Sequence, residues 1–218
     1  MKIVLPNFFA SLTAGPRLLL ALFALGFPLA LAGHYTHTVE ILPWLAFSPQ
    51  LVWKGQVWRL LSYAFVPAGI LDWLVSLFWL TTLVCVLARN WHGRELWLYC
   101  LLSTLAASLL LTLIQRPGSC MVAGNGAMIF ALLVAWDRLY RRERIILLGM
   151  GEMSVRQAAA IVAVIEGLIL FCGSGLLVTL AMIFGGAVGW LYLFARGKSA
   201  LNRRSQVLDS ARMARLEM

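Results

Sequence analysis

Apolar stretches of about 20 residues, bounded by short charged clusters, recur along this chain and constrain it more than any other feature. A hydrocarbon core about 30 Å thick takes a helix of roughly that length, and only helices or closed barrels satisfy their own backbone in lipid. Six such stretches fall at residues 17–33, 70–88, 96–114, 123–140, 158–172 and 176–194. With 61% hydrophobic and 12% charged residues, the chain is far from the balance of a soluble domain. The expected fold class is an all-α integral membrane protein, a six-transmembrane-helix bundle. Its expected organisation is an amino-terminal interfacial lead (1–16), a membrane domain (17–195) and a basic tail (196–218). The first apolar run lacks a small-residue cleavage site and reads as a retained helix.

The long first loop, residues 34–69, carries Trp44, Trp53, Trp58 and Tyr63, side chains that settle at the headgroup boundary. It is expected to lie in the membrane surface as short helices. A connecting segment, 145–156, reads as a short strand or an interfacial stretch.

The formal charge of +9 raises nucleic acid as a partner, but the basic residues crowd into alternate loops and not onto one face. All Lys and Arg except Lys54, Arg59 and Arg116 fall on one side of the six-span topology. The positive-inside rule then puts both termini in the cytoplasm, and the expected location is a bacterial-type inner (plasma) membrane. The basic tail is a candidate for anionic lipid headgroups. Cys85, Cys100, Cys120 and Cys172 show no metal-ligand spacing, so neither a metal nor a cofactor is expected.

Glu166 falls near the middle of the fifth stretch, where a charge costs about 2.5 kcal/mol or more on insertion scales. It is expected to be protonated or paired, and it is a candidate contact for a partner helix. Gly185, Gly186 and Gly189 form a small-residue face suited to close packing of the sixth helix against the fourth. Asp72 and Ser76 sit one turn apart on one face of the second helix.

A set of landmarks appears in order over about residues 17–195: Gln56-Val57-Trp58-Arg59-Leu60-Leu61-Ser62-Tyr63-Ala64-Phe65, the tight turn around Gly93, Gly124-Asn125-Gly126 opening the fourth helix, and Gly185-Gly186 in the sixth. Together they resemble the rhomboid intramembrane proteases. The resemblance implies a serine in a G-x-S-G motif at the fourth helix and a histidine on the sixth. Here the serine position holds Asn125, the first glycine position Ala123, and the histidine position Ile183. The family's oxyanion-steadying pair falls on Asp72 and Ser76. Trp58 and Arg59 resemble residues that stabilise the first loop, and Gly124 and Gly126 flank the fourth-helix start. Asn125 then either lines a vestigial cavity, as a candidate to hydrogen-bond a bound transmembrane segment, or caps the helix, with capping favoured.

Physical chemistry points the same way, because a hydroxyl nucleophile needs an adjacent base. The histidines are His34, His37 and His92, none on the fifth or sixth helix. The chain is therefore expected to be a rhomboid-like pseudoprotease without enzymatic activity. Its expected role is an adaptor or accessory subunit that binds transmembrane segments of other integral membrane proteins. Two alternatives are a residual serine hydrolase using Ser119 or Ser174, and a small transporter using Asp72 and Glu166 as intramembrane carboxylates.

Overall fold

The computed structural model describes residues 14–36, 41–66, 69–89, 91–115, 121–140, 143–146 and 152–216. Helix α1 spans Ala14–Thr36. The first loop folds into short helices α2 (Ile41–Leu45), α3 (Pro49–Trp53) and α4 (Arg59–Ser62), then a 3-10 turn (Tyr63–Phe65). The larger helices follow: α5 (Ile70–Leu87), α6 (Gly93–Ile114), α7 (Gly126–Tyr140), α8 (Val155–Ser174) and α9 (Leu176–Leu216).

Three of these, Gly93–Ile114, Val155–Ser174 and the Leu176–Gly197 part of α9, are long and apolar enough to cross a membrane among the described residues. Ala14–Gly26 and Asp72–Leu87 are apolar but shorter. At about 1.5 Å per residue, α7 is only about 22 Å long. Most of its residues are buried by neighbouring helices, so lipid thickness does not dictate its length.

Helix α6 shows how an apolar helix finds its packing face. Leu96, Tyr99, Cys100, Ser103, Thr104, Ala107, Ser108 and Leu111 are buried at three- and four-residue spacing. The hydroxyls in this stripe are satisfied locally: Ser103 donates to the Tyr99 carbonyl, Thr104 to that of Cys100 and Thr112 to that of Ser108. Helix α9 lies against this face and against α7, and its glycines permit the approach. A Cβ on Gly185 would meet the Ser103 carbonyl and the Ala127 Cβ, and one on Gly186 would meet Phe130. One on Gly189 would strike the Tyr99 hydroxyl, which itself donates to the Ala131 carbonyl at 2.6 Å. The glycine face thus seats α9 between α6 and α7, and not against α7 alone.

The connection after α7 is an antiparallel hairpin, β1 (Arg144–Ile146) with β2 (Glu152–Ser154), in the register Arg144 to Ser154. Helix α8 starts earlier than hydropathy indicates, because Ser154 and Gln157 form a capping box. The S-x-x-Q spacing was a legible signal for that start. Helix α9 runs without interruption past residue 195, so no backbone break separates bundle from tail. Arg196 also belongs to the bundle, since it pairs with Glu95 at 2.6 Å and lies over the Trp91 ring. In the first loop, Trp44, Trp53 and Trp58 are exposed as expected of interfacial residues. Tyr63 is not: it is fully buried, and its hydroxyl donates to the Thr104 carbonyl.

Candidate functional site

Apart from the hydroxyls of α6 and Thr179 of α9, the buried polar side chains among the described residues come from the first loop, α5, the start of α7 and α8. The loop is braced first. Arg59 is 4% exposed, and its guanidinium donates to the carbonyls of Pro43 and Ala46 and to Oε1 of Gln56, at 2.5–2.6 Å. Burial lowers its pKa from the ordinary arginine value. Trp58 adds only a long bond, Nε1 to the Trp44 carbonyl at 3.4 Å. Ser108 on α6 donates to the Leu60 carbonyl at 2.8 Å, which holds the loop against the helices.

The braced loop sets the start of α7. Phe47 and Val122 exchange both backbone hydrogen bonds, and the Gly124 N–H donates to the Tyr63 carbonyl. Gly124 has φ +121°, a conformation that side chains rarely adopt and glycine takes freely. That turn delivers Asn125 into the interior, 2% exposed. Its carbonyl accepts from the Ile129 N–H, so its backbone opens the helix. The side chain does not complete a cap: no bond from it is present among the described residues, and Nδ2 is buried without an acceptor. This departs from the favoured expectation of a capping side chain.

Asp72 lies in the first turn of α5, half-buried, with Oδ2 3.9 Å from where a Gly124 Cβ would stand. The wholly buried Ser76 donates to Asp72 Oδ1 across a long 3.4 Å. Glu166 is 3% exposed in the middle of α8, has no hydrogen-bond or salt-bridge partner among the described residues, and is within electrostatic reach of Asp72. One turn on, Leu170 packs on Gly126, so the α8 face bearing Glu166 is turned toward the head of α7. The structure therefore brings Asp72, Ser76, Asn125 and Glu166 into one region.

Ile183 does not join them. It is 46% exposed on the outer surface, whereas Met182, fully buried, faces Gly126. The reason is helical phase: Met182 precedes Gly185 by three residues and Gly189 by seven, so it shares their inward face, and Ile183 is turned about 100° away. That spacing was readable and points to Met182 as the α9 residue at this site. Among the histidines, His92 is exposed at the start of α6, while His37 and the side chain of His34 lie outside the described residues. No group of three or more His, Cys, Asp or Glu that could hold a metal ion occurs among the described residues. Cys85 and Cys100 are buried and Cys172 is exposed; Cys120 lies outside the described residues, as does Ser119.

Membrane-length apolar helices around a buried polar cluster define a helical integral membrane protein. The family model described as eukaryotic integral membrane protein (DUF1751) matches residues 17–216, and the chain belongs to that family. No curated protein matches it.

This assignment corrects two expectations. The family is not the rhomboid proteases, so the resemblance carried by residues 56–65, Gly93, Gly124-Asn125-Gly126 and Gly185-Gly186 is withdrawn. Glycines at a helix start and paired glycines in a helix answer a general need, close packing in lipid, and their order does not identify a lineage. The second correction concerns location. The family is described as eukaryotic, which overturns a bacterial-type inner membrane and leaves an integral membrane protein. Basic-residue asymmetry reports orientation and carries no information on which membrane is occupied.

Proposed function

We propose that this chain is a non-catalytic, six-helix membrane protein that binds transmembrane segments of other integral membrane proteins, as an adaptor or accessory subunit. The observation that carries the reading is the Asn125 amide nitrogen, buried in the bundle with no acceptor, together with the buried Glu166, whose carboxyl makes no hydrogen bond among the described residues. Unsatisfied polar groups are costly in a medium without water, and an incoming helix with a polar side chain or a weakened backbone would satisfy both. Helix α8 offers a route, since Val164, Ile165, Leu168 and Ile169 are exposed on its outer flank.

Support for six passes comes from contacts alternating between two ends. At one end, Trp97 donates to the Gly15 carbonyl, Tyr140 to that of Val86, and Arg196 pairs with Glu95. At the other, Phe47 meets Val122 and Gly124 meets Tyr63. The basic tail beyond Arg196 is proposed to bind anionic lipid.

The test places a photo-crosslinking residue at Ile165 in the full chain, with Leu98 on the exposed side of α6 as control, and identifies the captured proteins. Discrete adducts with membrane-spanning proteins at Ile165 are expected, weakened by Asn125→Leu. Equal capture at both sites, or capture indifferent to Asn125→Leu, refutes the proposal.

A second reading is a hydrolase, favoured by the Ser76 hydroxyl bonded to the Asp72 carboxylate. A carboxylate alone is a weak base for a serine, which ranks this reading below the first. Fluorophosphonate labelling that disappears in Ser76→Ala would establish it.

A further inference from the structure

A second feature lies away from the Asn125 cluster, toward the end of the bundle where Tyr140 and Arg196 sit. A cavity of about 430 Å³ opens between α7, α8 and α9. Its lining is apolar toward the middle of the helices, at Phe130, Ala160 and Ala163, and polar toward the Tyr140 end, where its mouth holds Asp137, Arg138, Arg156 and Trp190. Phe130 and Asp137 are seven residues apart on α7, so polarity changes along about 10 Å of groove.

That gradient matches the ends of a phospholipid. The Arg138 guanidinium sits 5.1 Å from the centre of the Trp190 ring, which occupies its face and leaves its N–H edge to bond. Arg156 is exposed and has no ion pair among the described residues. Asp137 is half-buried, with Oδ1 lacking a donor. Two guanidinium groups against one carboxylate leave the mouth with a single net positive charge. Small side chains at residues 160 and 163 keep the groove open beneath it.

We propose that this cleft binds one singly anionic glycerophospholipid, its phosphate held by Arg138 and Arg156 and an acyl chain laid over Ala160 and Ala163. The site belongs to the folded bundle and is distinct from any attraction of lipid to the tail. It also does not depend on the adaptor role, because lipid retention and partner capture are read separately.

The test is native mass spectrometry of the full-length protein released from detergent, titrated with phosphatidylglycerol or phosphatidylcholine. One phosphatidylglycerol is expected to be retained in preference. Arg138→Ala and Arg156→Ala should each weaken it about fivefold, the effect of one basic residue on an anionic headgroup. Arg156→Lys keeps the charge and should stay within about twofold of the original. Ala160→Phe fills the groove, leaves both arginines in place and should abolish retention. A paired tail substitution, Arg203→Ala with Arg204→Ala, should leave binding intact. Equal retention of phosphatidylcholine, wild-type binding by Ala160→Phe, or loss of the lipid in the tail variant would each overturn the proposal.

Discussion

Replacing Gly185 by alanine tests the packing seam with the least chemical change. The new Cβ would stand 2.7 Å from the Ser103 carbonyl oxygen and 2.9 Å from the Ala127 Cβ. Carbon atoms pack best at about 3.5–4.0 Å, so α9 must retreat by about 0.6 Å or more. Neither obstacle is a flexible side-chain end, and α6 and α7 approach from two directions. A gap of that size forfeits a quarter to a half of each dispersion contact it opens, and the neighbours at Gly186 and Gly189 would lose theirs with it. Overpacking of this kind costs about 1–3 kcal/mol, offset by up to about 1 kcal/mol from the better helix propensity of alanine. The net expectation is destabilisation by about 1–2 kcal/mol. Gly173→Ala is the control, because nothing lies within 4 Å of a Cβ there. Denaturant unfolding in detergent micelles, followed by tryptophan fluorescence, reads both. If Gly185→Ala is as stable as Gly173→Ala, the argument for a close three-helix seam fails.

Arg59→Ala should destabilise the protein by about 3 kcal/mol or more, since it removes charged hydrogen bonds to two loop carbonyls, and Arg59→Lys should restore only part of that; thermal unfolding checks both. Gly124→Ala should cost about 1–3 kcal/mol through its positive φ, read by the same melt. Ser154→Ala removes the acceptor for the Gln157 N–H and should cost about 1 kcal/mol, with faster hydrogen exchange confined to the first turn of α8. Asn125→Ala, by contrast, should change stability by less than about 1 kcal/mol, because its amide nitrogen makes no bond to lose; a large loss would mean that the side chain holds the fold and does not await a partner.

Much of the architecture was legible without coordinates. Runs near bilayer length announced the main helices, because every backbone polar group in lipid must be satisfied within its own segment, which leaves little freedom of local form. The bounds of α5 and α6 came within a few residues of those observed, and the small-residue face at Gly185, Gly186 and Gly189 was visible as a pattern. Composition excluded a soluble domain, and an ionisable side chain at residue 166 stood out against its apolar surroundings.

What the chain alone did not decide was which side chains meet. Helical phase, known only once α9 is seated between α6 and α7, turns Met182 inward and Ile183 outward, though they are adjacent in sequence. Asn125 reads as an ordinary capping residue until the loop pinned through Phe47, Tyr63 and Arg59 carries its side chain inside, away from any acceptor. Asp72 and Glu166, 94 positions apart, come within electrostatic reach only through the packing of α5 and α8 around α7. Local pattern determines where a helix forms, because its hydrogen bonds close over four residues. Which face it buries against which neighbour depends on contacts between distant segments, and those exist only in the assembled bundle.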